Sequence, residues 1–200
     1  MAKSDRVIIL PMLAVLFIYL KQFTPNIQGL CHDMDSYWLS VYRDLIHGSF
    51  GHLCWTLYGL YDLVPLEQKL GPLWMLVAVI WMLLLTNLIQ HHSQRFIKPY
   101  TDVNTRYKIL QHLSQQLNLK YTQLPCDIGF TGINLGLDIL ALYLSTRGRL
   151  KRSWVDILWL ALQITPTLIF NNVTLHSQVS GFTAGVITVT LLDACDIGYN

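Results

Sequence analysis

The chain has 200 residues, 52% of them hydrophobic and only 13% charged, with a formal net charge of +2; its mean hydropathy is +0.39. A water-soluble domain normally carries about a quarter charged residues, so this composition points to an integral membrane protein. The small net charge, with no basic tail or patch, argues against nucleic acid as a partner.

Met1 to Arg6 is a short basic lead before an apolar run from Val7 to Phe23. No small-residue cleavage site follows; Lys21-Gln22-Phe23-Thr24-Pro25 is a poor one, and the run reads as an uncleaved first membrane helix rather than a signal peptide. The connection from Gln22 to Ile46 holds Tyr37-Trp38-Leu39 and Tyr42, a mixture suited to a segment lying in the membrane interface. A second span is expected over 47–66, rich in Gly, Trp and Tyr, and a third, the most hydrophobic, over 72–89. In the loop 90–124, Ile109, Leu110, Leu113, Leu117 and Leu119 fall at helical spacing and predict a surface amphipathic helix. Three further spans are expected over 127–144, 154–170 and 178–192. The expected fold class is all-α, a polytopic bundle of six transmembrane helices forming one domain over 1–200. The second, fourth and sixth spans carry the polar residues and glycines, so they are placed inside the bundle.

Orientation follows the positive residues. Arg147, Arg149, Lys151 and Arg152 form the densest cluster and share a side with Lys3, Arg6 and Lys69, which puts both termini in the cytosol. The sequon Asn172-Val173-Thr174 then faces the lumen, too close to two helix ends for ready glycosylation. Four cysteines, Cys31, Cys54, Cys126 and Cys195, contain no CxxC. Cys31 and Cys126 fall on one side of the membrane, where an oxidising lumen would permit a disulfide. His91, His92 and His112 lack metal-ligand spacing, and Trp74, Trp81, Trp154 and Trp159 read as belt and packing residues rather than a cofactor box. Neither metal nor cofactor is expected. Asp62 and Asp138 read as interior acids satisfied by neighbours.

The most informative tetrapeptide is Gly129-Phe130-Thr131-Gly132. A hydroxyl between glycines can serve as a nucleophile that a substrate backbone approaches closely. Small residues also let membrane helices pack tightly, and Gly132/Gly136 with Gly181/Gly185 are small-xxx-small pairs. Three polar groups share one expected edge of the bundle: His47, His52 and Thr56 on the second span, Thr131 on the fourth, and Gln178, Ser180 and Thr183 on the sixth.

Together these fragments resemble the rhomboid intramembrane proteases over most of the chain. That family opens its second helix with His-x4-His-Leu, where this chain has His47 and His52-Leu53, and follows with Glu-x3-Gly, here Glu67 and Gly71. It carries Gly-x-Ser-Gly on the fourth helix, here Gly129 to Gly132, and His-x2-Gly-x3-Gly on the sixth, here Gln178, Gly181 and Gly185. A cysteine just ahead of the fourth-helix motif, here Cys126, is a further likeness to the rhomboids of the animal secretory pathway. The resemblance implies a six-helix fold and four site positions: Thr131 for the nucleophile, Gln178 for the base, and His52 and Thr56 for the oxyanion donors.

The substitutions at these positions predict loss of proteolysis. A hydroxyl is a poor nucleophile until a base takes its proton, and the Gln178 amide cannot cycle a proton near neutral pH. The Thr131 methyl restricts χ1 and crowds the attack path. Thr56 replaces the family asparagine, and Trp38-Leu39 replaces its first-loop Trp-Arg pair. Losing one oxyanion donor costs about two to three orders of magnitude. A pseudoprotease that binds transmembrane segments of client proteins in the bilayer is therefore expected, in the endoplasmic reticulum or another secretory-pathway membrane. The alternative is an active intramembrane endopeptidase using Thr131. Its rescue base would be His176, two residues before Gln178 and about 200° around an ideal helix from it.

Overall fold

The structure, a computed structural model, describes residues 7–23, 37–97, 128–148, 150, 154–163 and 175–194. Among these residues the protein is all-α, with no strand. The helices are α1 (Ile9–Gln22), α2 (Tyr37–Asp44), α3 (Phe50–Asp62), α4 (Val64–Leu70), α5 (Pro72–Ile97), α6 (Thr131–Thr146), α7 (Trp154–Leu162) and α8 (Leu175–Ala194).

The expected continuous helix over 47–66 is corrected by the structure, which splits it. Ser49, in extended conformation, accepts the His52 amide and starts α3 at Phe50, as N-cap serines do. Pro65 has no N–H to continue the ladder, and its ring would collide with the carbonyl four residues back. The chain breaks at Leu63 and restarts with Pro65 in the first turn of α4, where a missing N–H costs nothing. Gly71, at φ 81°, ends α4, and Pro72 opens α5. The third helix runs eight residues beyond the expected 89, to Ile97. The last begins at Leu175 rather than Gln178. Of the expected fifth span, Trp154–Leu162 is helical; 164–170 lies outside the described residues, as do the amphipathic segment 109–119, the sequon, Cys31 and Cys126.

α6 is the central post. Every residue from Thr131 to Asp138 is buried, so it has no solvent or lipid face over two turns, as expected of a helix enclosed by neighbours. α3, α5, α7 and α8 pack around it. Its approach to α8 is a backbone contact. A Cβ on Gly181 would lie 1.8 Å from the Gly132 carbonyl oxygen, and one on Gly185 would lie 2.9 Å from that of Gly136. Trp81 Nε1 on α5 donates to Thr188 Oγ1 on α8 at 2.9 Å. α2 is fastened to α5 by Asn87 Nδ2 donating to Asp44 at 2.7 Å and by the Tyr37 hydroxyl donating to the Leu84 carbonyl at 2.9 Å. Burial, and then the charge of Asp44, push the Tyr37 phenol up, which keeps its proton on that bond.

α1 is held by α4. Ile8, the N-cap, offers no capping side chain. The Glu67 carboxylate replaces one, accepting the amides of Ile8 at 2.5 Å, Ile9 at 2.7 Å and Leu10 at 3.1 Å.

Around an apolar core that includes Phe17, Leu63, Met82, Phe130 and Leu137, polar side chains are buried and large apolar ones are exposed. His47, His52, Thr56, Glu67, Asn87, Thr131, Asn134 and Asp138 are buried, while Met12, Val15, Leu73, Trp74, Val77, Phe182 and Val186 are exposed. Contiguous exposed apolar faces of this kind are rare on soluble monomers. Among the described residues one helix segment, Pro72–Ser93, is long and apolar enough to cross a membrane, with mean hydropathy 2.1; Ile9–Gln22 is a shorter apolar helix.

Candidate functional site

The site begins at a turn. Gly129 has φ 98°, a left-handed conformation that suits glycine, and its amide donates to the Arg43 carbonyl at 3.1 Å. This turn sets Phe130 as N-cap and Thr131 as the first residue of α6. The His52 imidazole lies directly over the glycine: a Cβ there would meet Cε1 at 2.2 Å. In that position His52 Nε2 lies 2.9 Å from Thr131 Oγ1. One turn further along α3, Thr56 Oγ1 pairs with His47 Nε2 at 2.9 Å, and the Thr56 carbonyl accepts Asn134 Nδ2 at 3.3 Å. The His47 and His52 rings meet edge to face at 5.1 Å. Phe17 of α1 covers His47 and Phe130, each ring 5.0 Å away.

The structure gives the Gln178 amide a hydrogen-bond partner other than Thr131. The Gln178 amide donates to the Gln163 carbonyl, and the Gln163 amide donates to the buried Asp138 carboxylate. This relay ties α8, α7 and α6 together, and it satisfies Asp138 as an interior acid. The structure also sends the suggested rescue base elsewhere. His176 Nε2 lies 2.6 Å from Ser93 Oγ on α5, because two residues of helix turn it to a different neighbour. Thr131 does have an imidazole beside it, but from α3 rather than α8.

Such a hydroxyl–imidazole contact is the geometry of a nucleophile and its base. Enclosure opposes that use, since His52 is 0% exposed and Thr131 1%. On the α8 side, a Cβ on Gly132 would lie 2.5 Å from the Ser177 carbonyl oxygen, which leaves no gap for a peptide between the two helices. Thr56, at the oxyanion-donor position, has its hydroxyl on His47. His47 Nδ1, Asn134 Oδ1 and Gln178 Oε1 are buried without a partner among the described residues. Buried polar atoms of this kind are normally hydrated. No group of three metal-binding side chains occurs among the described residues.

Neither the models of known protein families nor the curated protein sequences contain a match to this chain. The site therefore stands on its geometry and on the motif spacing.

Sequence reasoning passed over Asn134 and Glu67's role toward α1. For Asn134 a signal was present: Thr131, Asn134 and Asp138 sit at i, i+3 and i+7, one polar stripe along α6. For Glu67 none was, because its partners are backbone amides of a distant segment.

Gly129→Ala is expected to displace the His52 ring and separate it from Thr131. Positive φ on a residue with a Cβ costs on the order of 1–3 kcal/mol, and overpacking adds a similar amount. Imidazole chemical shifts, together with the unfolding midpoint of the same sample, report both effects; an unchanged His52 signal would show that the glycine is not what seats the ring.

Proposed function

We propose that this chain is a six-helix, rhomboid-like integral membrane protein that does not cut peptides but holds transmembrane segments of client proteins. On this reading both termini are cytosolic, and the protein resides in the endoplasmic reticulum or another secretory-pathway membrane. The exposed large apolar side chains, the apolar segment Pro72–Ser93 and the order of the motif fragments support the membrane bundle. The observation that carries the loss of proteolysis is Gln178. It occupies the position of the family base, yet it is an amide whose N–H₂ is committed to the Gln163 carbonyl. An amide cannot take the Thr131 proton near neutral pH.

The test restores the family residues together: Thr131→Ser, Gln178→His and Thr56→Asn. The triple variant is expected to cleave a generic rhomboid substrate, with the added base and donor each contributing about two or more orders of magnitude, while the unaltered chain does not. Cleavage by the unaltered chain removes the reading. Client holding is tested separately by deletion: if every membrane protein keeps its abundance and location, that part fails.

One observation favours a second reading, an active endopeptidase using Thr131. His52 stands at hydrogen-bonding distance from its hydroxyl and could accept the proton, given the tautomer with hydrogen on Nδ1. A fluorophosphonate adduct mapped to Thr131 in the unaltered protein would establish it.

A further inference from the structure

The structure contains a second hydroxyl–imidazole pair, outside the site described above. Ser93 Oγ on α5 and His176 Nε2 on α8 are 2.6 Å apart. The Ser93 hydroxyl also lies 3.3 Å from the Gln90 carbonyl, to which it can donate; in the imidazole tautomer with hydrogen on Nδ1 it donates to His176 Nε2 instead. We infer that Ser93 and His176 form a nucleophile–base pair that reacts with acyl esters at the membrane boundary.

Four observations support this. Both Ser93 and His176 are half-buried, whereas Thr131 and His52 are sealed. Serine is a primary alcohol without the methyl group that crowds threonine. Depth supplies the substrate class. The apolar segment Pro72–Ser93 ends at this residue, so in a bilayer the Ser93 hydroxyl lies where hydrocarbon gives way to headgroups. The carbonyls of lipid esters lie at that boundary. His176 stands in the first turn of α8, whose amides lack intrahelical acceptors and favour nearby negative charge.

The chemistry balances without a cofactor. Ser93 Oγ bonds to the acyl carbon while His176 Nε2 takes the hydroxyl proton. The ester C–O bond breaks, and the departing alkoxide receives that proton and leaves as the alcohol. Water then attacks the acyl-serine, its proton passes through His176 to Oγ, and the carboxylic acid is released. This inference rests on the membrane placement proposed above and not on client holding.

The experiment uses the full chain in lipid nanodiscs with a fluorophosphonate probe, and the adduct is mapped by mass spectrometry. The expected adduct is on Ser93. His176→Gln keeps an amide oxygen able to accept the Ser93 hydroxyl but cannot take up and return its proton, so labelling should fall about 100-fold or more with no shift in the unfolding midpoint. Hydrolysis of a fluorogenic medium-chain acyl ester should fall in parallel. An adduct on Thr131 or any other residue, no adduct, or undiminished labelling of His176→Gln overturns the inference and leaves the pair as a structural clasp between α5 and α8.

Discussion

Gly181→Ala is expected to abolish the folded state. The added carbon would lie 1.8 Å from the Gly132 carbonyl oxygen, 2.4 Å from its carbon and 2.8 Å from its Cα. All three are backbone atoms of the central helix, so no side chain can swing aside. Relief requires α6 and α8 to separate, which would uncover the interior face of Thr131 to Asp138. Ordinary overpacking costs about 1–3 kcal/mol; a clash of backbone with backbone belongs to the tail beyond about 4 kcal/mol, a large share of the roughly 5–15 kcal/mol that holds a native protein together. The monodisperse fraction on size exclusion in mild detergent should collapse. Gly71→Ala is the contrast. Nothing lies within 4 Å of a Cβ there and only the φ of +81° is adverse, so a loss on the order of 1–2 kcal/mol is expected. Equal damage from both would show that the close approach of the helices is not what the glycine serves.

Glu67→Ala is expected to release α1. Three amides at the start of that helix converge on one buried carboxylate, and hydrogen bonds to a charged group contribute about 1.5–3 kcal/mol each when removed from burial. Favourable interaction of an anion with a helix N-terminus adds a few tenths to about 2 kcal/mol. The contributions overlap, so the net loss should be about 3–5 kcal/mol, comparable to removing one partner of a buried ion pair. Glu67→Gln keeps an oxygen acceptor and should lose about half as much. Hydrogen exchange at Ile8, Ile9 and Leu10 gives the specific readout: their protection should vanish in the alanine variant while that of α8 persists. Retained protection at these three amides would mean that some other group caps the helix.

Much of the fold was legible in the sequence because its signals are local. Apolar runs placed α1, α5, α6 and α8 to within a few residues at most ends. The paired glycines foretold the α6–α8 contact, since nothing larger than hydrogen fits between helices so close. The break at Leu63 was readable in Pro65, but the apolar run on either side hid it. What stayed hidden depends on long-range partners. His52 and Thr131 lie 79 positions apart, and no periodicity states which imidazole a hydroxyl will meet. Gln178 donates to the Gln163 carbonyl and His176 meets Ser93, 83 positions away, partners that no local pattern names. The expected six spans are not shown: among the described residues only Pro72–Ser93 is long and apolar enough to cross a membrane, and 13-residue α3 and 16-residue α6 are shorter than the roughly 20 residues of a standard crossing.

The enclosure of the first two turns of α6 has a consequence for how the chain is made. If the bundle resides in a bilayer, this helix is ill suited to leave the translocon by itself. It carries Thr131, Asn134 and Asp138 on one stripe, and an aspartate near a helix centre costs about 2.5–3.5 kcal/mol on insertion scales. The Gln163 amide that satisfies Asp138 and the α8 backbone that covers Gly132 and Gly136 are both synthesised later. Until translation supplies them, the first two turns of α6 lack the α7 and α8 cover they have in the folded bundle, which makes the arrival of α8 the step that closes this part of the interior.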